Sequence, residues 1–133
     1  MKNRIEEFVR FKRMAVVGVS DHPSKFGAIV YRTMKARGYE MTAVNPGLLS
    51  FDGDPCYASL TVLPESVEGA VLVIPPPNVL PVLRDAATAG IRYVWLQPGA
   101  ESPEAIALAK GLELNLIYDA CVMVEAPGLY AAA

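Results

Sequence analysis

Five short apolar runs, nearly unbroken and rich in valine, limit most strongly how this chain folds. They are Met14–Val19, Met41–Val44, Ala70–Ile74, Tyr93–Leu96 and Leu114–Tyr118. A strand with one face in water alternates apolar and polar residues, whereas a strand covered on both faces does not. The runs therefore predict a parallel sheet held between two layers of helix.

The segments between the runs have helical character. Asn3 and Glu6 have the spacing of a capping box for a short first helix. Phe26, Val30 and Met34 lie four apart and share one helical face, with Lys25, Arg32 and Lys35 largely off it. Asn78 is placed to cap a third helix, with Pro81 still in its first turn. Ser102-Pro103-Glu104 supplies a cap, a first-position proline and an acid at the positive end of a helix dipole. Gly38, Gly90 and Gly111 each stop a helix just before a strand, where positive φ is common. The expected architecture is one Rossmann-like, doubly wound α/β domain over residues 1–133. Its sheet is mainly parallel and five-stranded, with helices on both faces. Asp52-Gly53-Asp54-Pro55 reads as a surface turn, since the ligand spacing of a calcium loop is absent.

A chain of 133 residues with 53% hydrophobic and 20% charged residues has enough apolar material for one core. Its net charge of −2 supplies no broad basic face for nucleic acid. The apolar runs are far shorter than the ~20 residues that span a bilayer. The start, MKNRIEEFVRFK, is charged throughout, unlike a signal peptide. Cys56 and Cys121 form no CxxC pair, so a reduced, cytoplasmic protein without membrane association is expected.

The first strand–loop–helix unit is shaped for an anion. Gly18 ends a buried strand, allows a tight turn and lets a ligand approach the backbone; a helix begins near Ser24. Free N–H groups and the dipole at a helix start attract phosphate. Ser20 and Ser24 add hydroxyl donors, and Lys25 adds charge. In open α/β sheets ligands bind beyond the carboxyl ends of the strands, where this loop lies. Gly18 and Gly27 do not complete a GxGxxG fingerprint. Gly18→Val is expected to abolish phosphate binding with the fold intact.

The second strand runs into Asn45-Pro46-Gly47, where a dinucleotide-binding domain usually has an acid for the ribose hydroxyls. The third runs into Pro75-Pro76-Pro77, which reads equally as a stiff connection or as an extended ridge for a flat base or a chain. The fourth ends Trp95-Leu96-Gln97-Pro98-Gly99, with Trp95 read as core.

Taken in order, these strand ends resemble the CoA-binding domain family, which includes small stand-alone bacterial proteins and the nucleotide-binding domain of the succinyl-CoA synthetase alpha subunit. The matching pieces are Val17-Gly18-Val19-Ser20, Gly38-Tyr39, Val44-Asn45-Pro46, Cys56-Tyr57-x-Ser59-Leu60, Val94 to Gly99 and Asp119 to Glu125. The resemblance implies coenzyme A, or an acyl-CoA, bound across the strand ends. By position, Gly18, Val19, Ser20 and Lys25 would meet phosphates, with Asn45 and Pro46 nearby. Ile74, Pro75 and Pro77 would flank the adenine or the pantetheine arm, and Gln97 and Gly99 would close the site. The chain departs from the family pattern at Ala120 and Ala126, and at Lys25-Phe26-Gly27, where Arg-Pro-Ser is usual.

No nucleophile–base pair and no metal-ligand cluster is evident, so binding without catalysis is expected. His22 in the loop reads as solvent-facing, with a bond to a phosphate as the alternative. Cys121 reads as a small buried residue, with a mixed disulfide to the ligand's thiol as the sharper alternative. An NAD(P)-binding enzyme or redox sensor, and a ligand-free interaction module, are the competing functions. A homo-oligomer or an unidentified partner enzyme stays open.

Overall fold

The structure is a computed structural model that describes residues 1–20 and 25–129. Seven strands form one sheet: β1 (Arg13–Val17), β2 (Glu40–Val44), β3 (Ser50–Phe51), β4 (Asp54–Tyr57), β5 (Gly69–Leu72), β6 (Tyr93–Leu96) and β7 (Asn115–Ile117). Their spatial order is β3-β4-β2-β1-β5-β6-β7, and only the β3–β4 pair is antiparallel. The sheet thus corrects the expected five strands to seven. The two additions are the arms of a hairpin, and the expected surface turn is its tip. Asp52 (φ 52°) and Gly53 (φ 81°) both take positive φ there, as a tight two-residue hairpin turn requires.

The helices are α1 (Lys2–Phe8), α2 (Phe26–Ala36), α3 (Pro76–Thr88), α4 (Pro103–Gly111) and the short α5 (Val122–Glu125). Successive strand residues point to opposite faces, and both faces are covered. Val16, Val71, Trp95 and Ile117 pack with Phe8 of α1, Tyr31 and Met34 of α2 and Val122 of α5. Ala15, Val17, Leu72, Leu96 and Leu116 pack with Leu83 of α3 and Ala105 of α4. Two cores on one sheet explain why the runs are unbroken. No helix among the described residues is long and apolar enough to cross a membrane.

The helix ends follow local chemistry, with some departures from expectation. Ser102 caps α4 by accepting from the Ala105 N–H at 3.0 Å, with Pro103 in first position and Glu104 in the first turn. Gly38 and Gly90 take φ of 96° and 78° after α2 and α3. Gly111, in contrast, lies inside the last turn of α4, and Glu113 (φ 59°) takes the left-handed position instead. Asn3 lies within α1, whose start has no side-chain cap. Asn78 likewise falls inside α3, which starts two residues before it, and Pro81 falls in that helix's interior.

The prolines explain that early start. Pro75 is the cap residue of α3, and Pro76 and Pro77 are its first two helical residues. Amides at the start of a helix have no intrahelical partner, so proline loses nothing there. The triplet is therefore a helix start rather than an extended ridge.

The α2 helix is anchored on the hairpin. Arg32 forms a two-pronged pair with Asp52 at 2.5 and 2.7 Å. The Tyr31 hydroxyl donates to Asp54 at 2.6 Å, and Lys35 donates to the same oxygen at 2.6 Å. Burial and the Asp54 carboxylate push the Tyr31 phenol above its ordinary range, so it stays a donor.

Candidate functional site

Register decides where a ligand site can form. Val17 is level with Val44 and Leu72, and Leu72 is level with Leu96. Four strands therefore end on one line, and the ladder continues one step beyond it. The Gly18 N–H donates to Val44 O (3.0 Å), Val73 N–H to Val17 O (2.9 Å) and Gln97 N–H to Leu72 O (3.1 Å). From β1 the chain crosses to β2 on one side and later returns to β5 on the other. Connections that diverge in this way leave a crevice at the carboxyl ends.

A cleft of about 490 Å³ occupies that place. Of the expected site residues, Gly18, Val19, Ser20, Lys25, Asn45, Ile74, Pro75, Gln97 and Gly99 all line it. Ser24 lies outside the described residues, as does His22. Pro46 and Pro77 do not line the cleft. Pro46 is exposed in the turn after β2, and Pro77 has been carried into the first turn of α3. Sequence reasoning missed Phe26, Gly27, Val73, Pro98 and Ala100, which also line the cleft.

The floor is backbone packed on backbone. Gly18 has φ of 108°, and a Cβ there would fall inside the Val73 carbonyl and 2.9 Å from Ile74 Cγ2. A Cβ on Gly27 would fall inside the Gly18 carbonyl, only 2.7 Å from its carbon. Two glycines nine residues apart thus let the start of α2 lie directly on the loop after β1. Gly18→Val would therefore strike protein backbone, so the expectation of an intact fold is corrected.

The two helix starts facing the cleft differ in chemistry. At α2, Lys25 is the cap residue, no side-chain hydrogen bond among the described residues caps the helix, and its first turn holds no acid. That end keeps its positive dipole for an anion. At α3, residues 75–77 are all proline and have no N–H to offer. Ile74 and Pro75 make that side of the cleft apolar.

Asn45 and Gln97 line the cleft, but their amides are used inside the protein. Asn45 Nδ2 donates to Val19 O at 2.6 Å, and its Oδ1 accepts from Gly47 N–H at 2.7 Å. It ties the loop after β1 to the loop after β2. Gln97 is 1% exposed. Its Oε1 accepts from Val122 N–H at 2.8 Å and its Nε2 points to Cys121 Sγ at 3.4 Å, which fixes the start of α5. Both act as struts within the protein. The Gly99 N–H is also taken, by Glu101 at 2.8 Å. Trp95 is fully buried, with Nε1 donating to Ala120 O at 2.8 Å and its ring edge-on to Phe8, so it belongs to the core. Burial pushes the Cys56 thiol above its usual range, which keeps it protonated.

A second groove, of about 390 Å³, lies at the opposite end of the sheet. Its charges are matched within the protein: Arg13 pairs with Glu40 (2.7 Å) and Glu65 (3.3 Å), and Lys35 with Asp54 (2.6 Å). Nothing there calls for a charged ligand.

Known proteins with this pattern point the same way. Residues 12–127 match the model of a CoA binding domain family. The uncharacterized protein YneT of Bacillus subtilis is 31% identical over 125 residues, which cover 92% of each chain. A conserved hypothetical protein from Pyrococcus furiosus has a solved structure similar to this one, with a TM-score of 0.83 and 36% identity. The match covers 86% of this chain and 99% of that one. The ADP-forming acetate–CoA ligase I of Archaeoglobus fulgidus is 24% identical over 84% of this chain but only 18% of its own length. A family model that matches nearly end to end, together with a relative 31% identical over 92% of both chains, makes this chain a member of the CoA-binding domain family.

Proposed function

We propose that this chain binds coenzyme A or an acyl-CoA in the strand-end cleft, and that binding rather than chemistry is its own contribution. The observation that carries this reading is the contrast between the two helix starts. The diphosphate lies at α2, against the backbone of Gly18, Val19 and Ser20 and near Lys25. An apolar part of the ligand lies against Ile74 and Pro75. Asn45 and Gln97 hold the surrounding loops in place. Membership of a CoA-binding family supports the choice of ligand. The acetate–CoA ligase is a much longer protein, so its reaction stays with it.

Thermal unfolding tests the reading. A ligand that binds only the folded state at ~1,000 times its Kd adds about 4 kcal/mol. For a chain of this size that raises Tm by roughly 10–15 °C. CoA should do this, and NAD and NADP should not. The reverse pattern would replace CoA with a dinucleotide, and no shift with any of them would favour an interaction module. Lys25→Gln should weaken CoA about tenfold at low salt, the scale of one charge-assisted bond to phosphate. It should also flatten the salt dependence and leave the Tm of the free protein unchanged, because Lys25 is exposed. Equal affinity in wild type and variant would move the phosphates away from α2.

A further inference from the structure

We propose that Phe26 is the platform on which the adenine of the bound nucleotide stacks; this rests on the CoA reading of the cleft. Phe26 opens α2 and shares its inward face with Val30 and Met34. Those two are fully buried, yet Phe26 is 44% exposed. Phe26 lines the cleft together with Lys25, Gly18, Ile74 and Pro75. The spacing that buries the later residues of this face thus leaves its first residue at the cleft, with part of an aromatic surface uncovered.

The chemistry selects the base over the pantetheine arm. A diphosphate at the start of α2 has adenosine on one side and the pantoyl group on the other, so both ends are within reach of the ring. The arm carries amides that need hydrogen-bond partners, and a phenyl ring offers none. The face of a purine needs only a flat, polarizable surface, and base–aromatic stacking supplies it. Ile74 and the donor-free Pro75 give the cleft a second apolar wall that tolerates a base.

Calorimetric titration of Phe26→Ala with CoA, adenosine 3′,5′-bisphosphate and 4′-phosphopantetheine separates the two ends. CoA and the bisphosphate should each weaken about tenfold, which is about 1.4 kcal/mol, while phosphopantetheine is unchanged. Phe26→Trp should restore binding. Its indole fluorescence should be quenched by the bisphosphate against a constant background, because the native Trp95 is fully buried. Loss confined to phosphopantetheine, or no loss for any ligand, would overturn the proposal while the CoA reading stands. A wild type that binds no CoA would overturn both.

Discussion

Gly18→Ala is expected to lose stability and CoA binding together. Its backbone sits at φ of 108°, and the added methyl group would enter the space of the Val73 carbonyl. Strain at such a φ costs about 1–3 kcal/mol, and overpacking against a fixed neighbour adds about 1–3 kcal/mol more. The total, roughly 2–6 kcal/mol, is a large share of the ~5–15 kcal/mol that holds a domain folded. Gly90→Ala separates the two causes. Gly90 has φ of 78°, but nothing lies within 4 Å of the added atom, so only the backbone term of about 1–2 kcal/mol applies. Gly27→Ala should carry the overpacking cost without the backbone one, because its methyl group meets the Gly18 carbonyl while its φ is not in the positive range. Urea unfolding of the three variants measures the order. If Gly18→Ala unfolds no more easily than Gly90→Ala, the close contact between the loop, α2 and β5 is not what shapes the cleft floor.

The same glycines show what can be read from residue order. The central strands are legible because burial on both faces demands continuous apolar runs, and β1, β2, β5, β6 and β7 all fall on them. The hairpin is less so. Ser50–Phe51 and Asp54–Tyr57 are too short for any period to appear, and Pro55 stands inside the second. Asp52-Gly53 signals the turn, but the register that joins β4 to β2 exists only in three dimensions. The proline triplet is ambiguous for a related reason. A missing N–H suits an extended segment and a helix start equally well, and only packing decides between them. Most site positions are legible as strand ends, since the fold dictates where strands stop. The roles of their side chains are not. Asn45 and Gln97 look like ligand groups in a list of polar residues. Only geometry shows their amides committed to Val19 O, Gly47 N–H and Val122 N–H. Phe26 was hidden by its own periodicity, which placed it with the core residues Val30 and Met34.

Asn45→Asp tests the strut directly, because it changes one donor and almost no volume. The aspartate still accepts from Gly47 N–H, but it loses the 2.6 Å bond to Val19 O and sets a negative charge against that carbonyl. Losing a hydrogen bond and leaving an unpaired acceptor costs about 1–3 kcal/mol. The cost falls on the loop proposed to hold the ligand. CoA affinity should therefore drop about tenfold or more, with a smaller loss of Tm in the free protein. The substitution also creates the acid that dinucleotide-binding domains carry at this strand end. NAD binding should still not appear, because the side chain at this position is held between Val19 and Gly47. The pH dependence separates this from general damage. A carboxyl facing a carbonyl oxygen has its pKa raised, because only its protonated form can donate. The deficit is then full above that pKa and shrinks as the pH falls below it. The ratio of variant to wild-type affinity should rise as the pH is lowered. A constant ratio would mean that the variant had merely loosened the fold, and unchanged CoA affinity would release Asn45 from any part in positioning the loop.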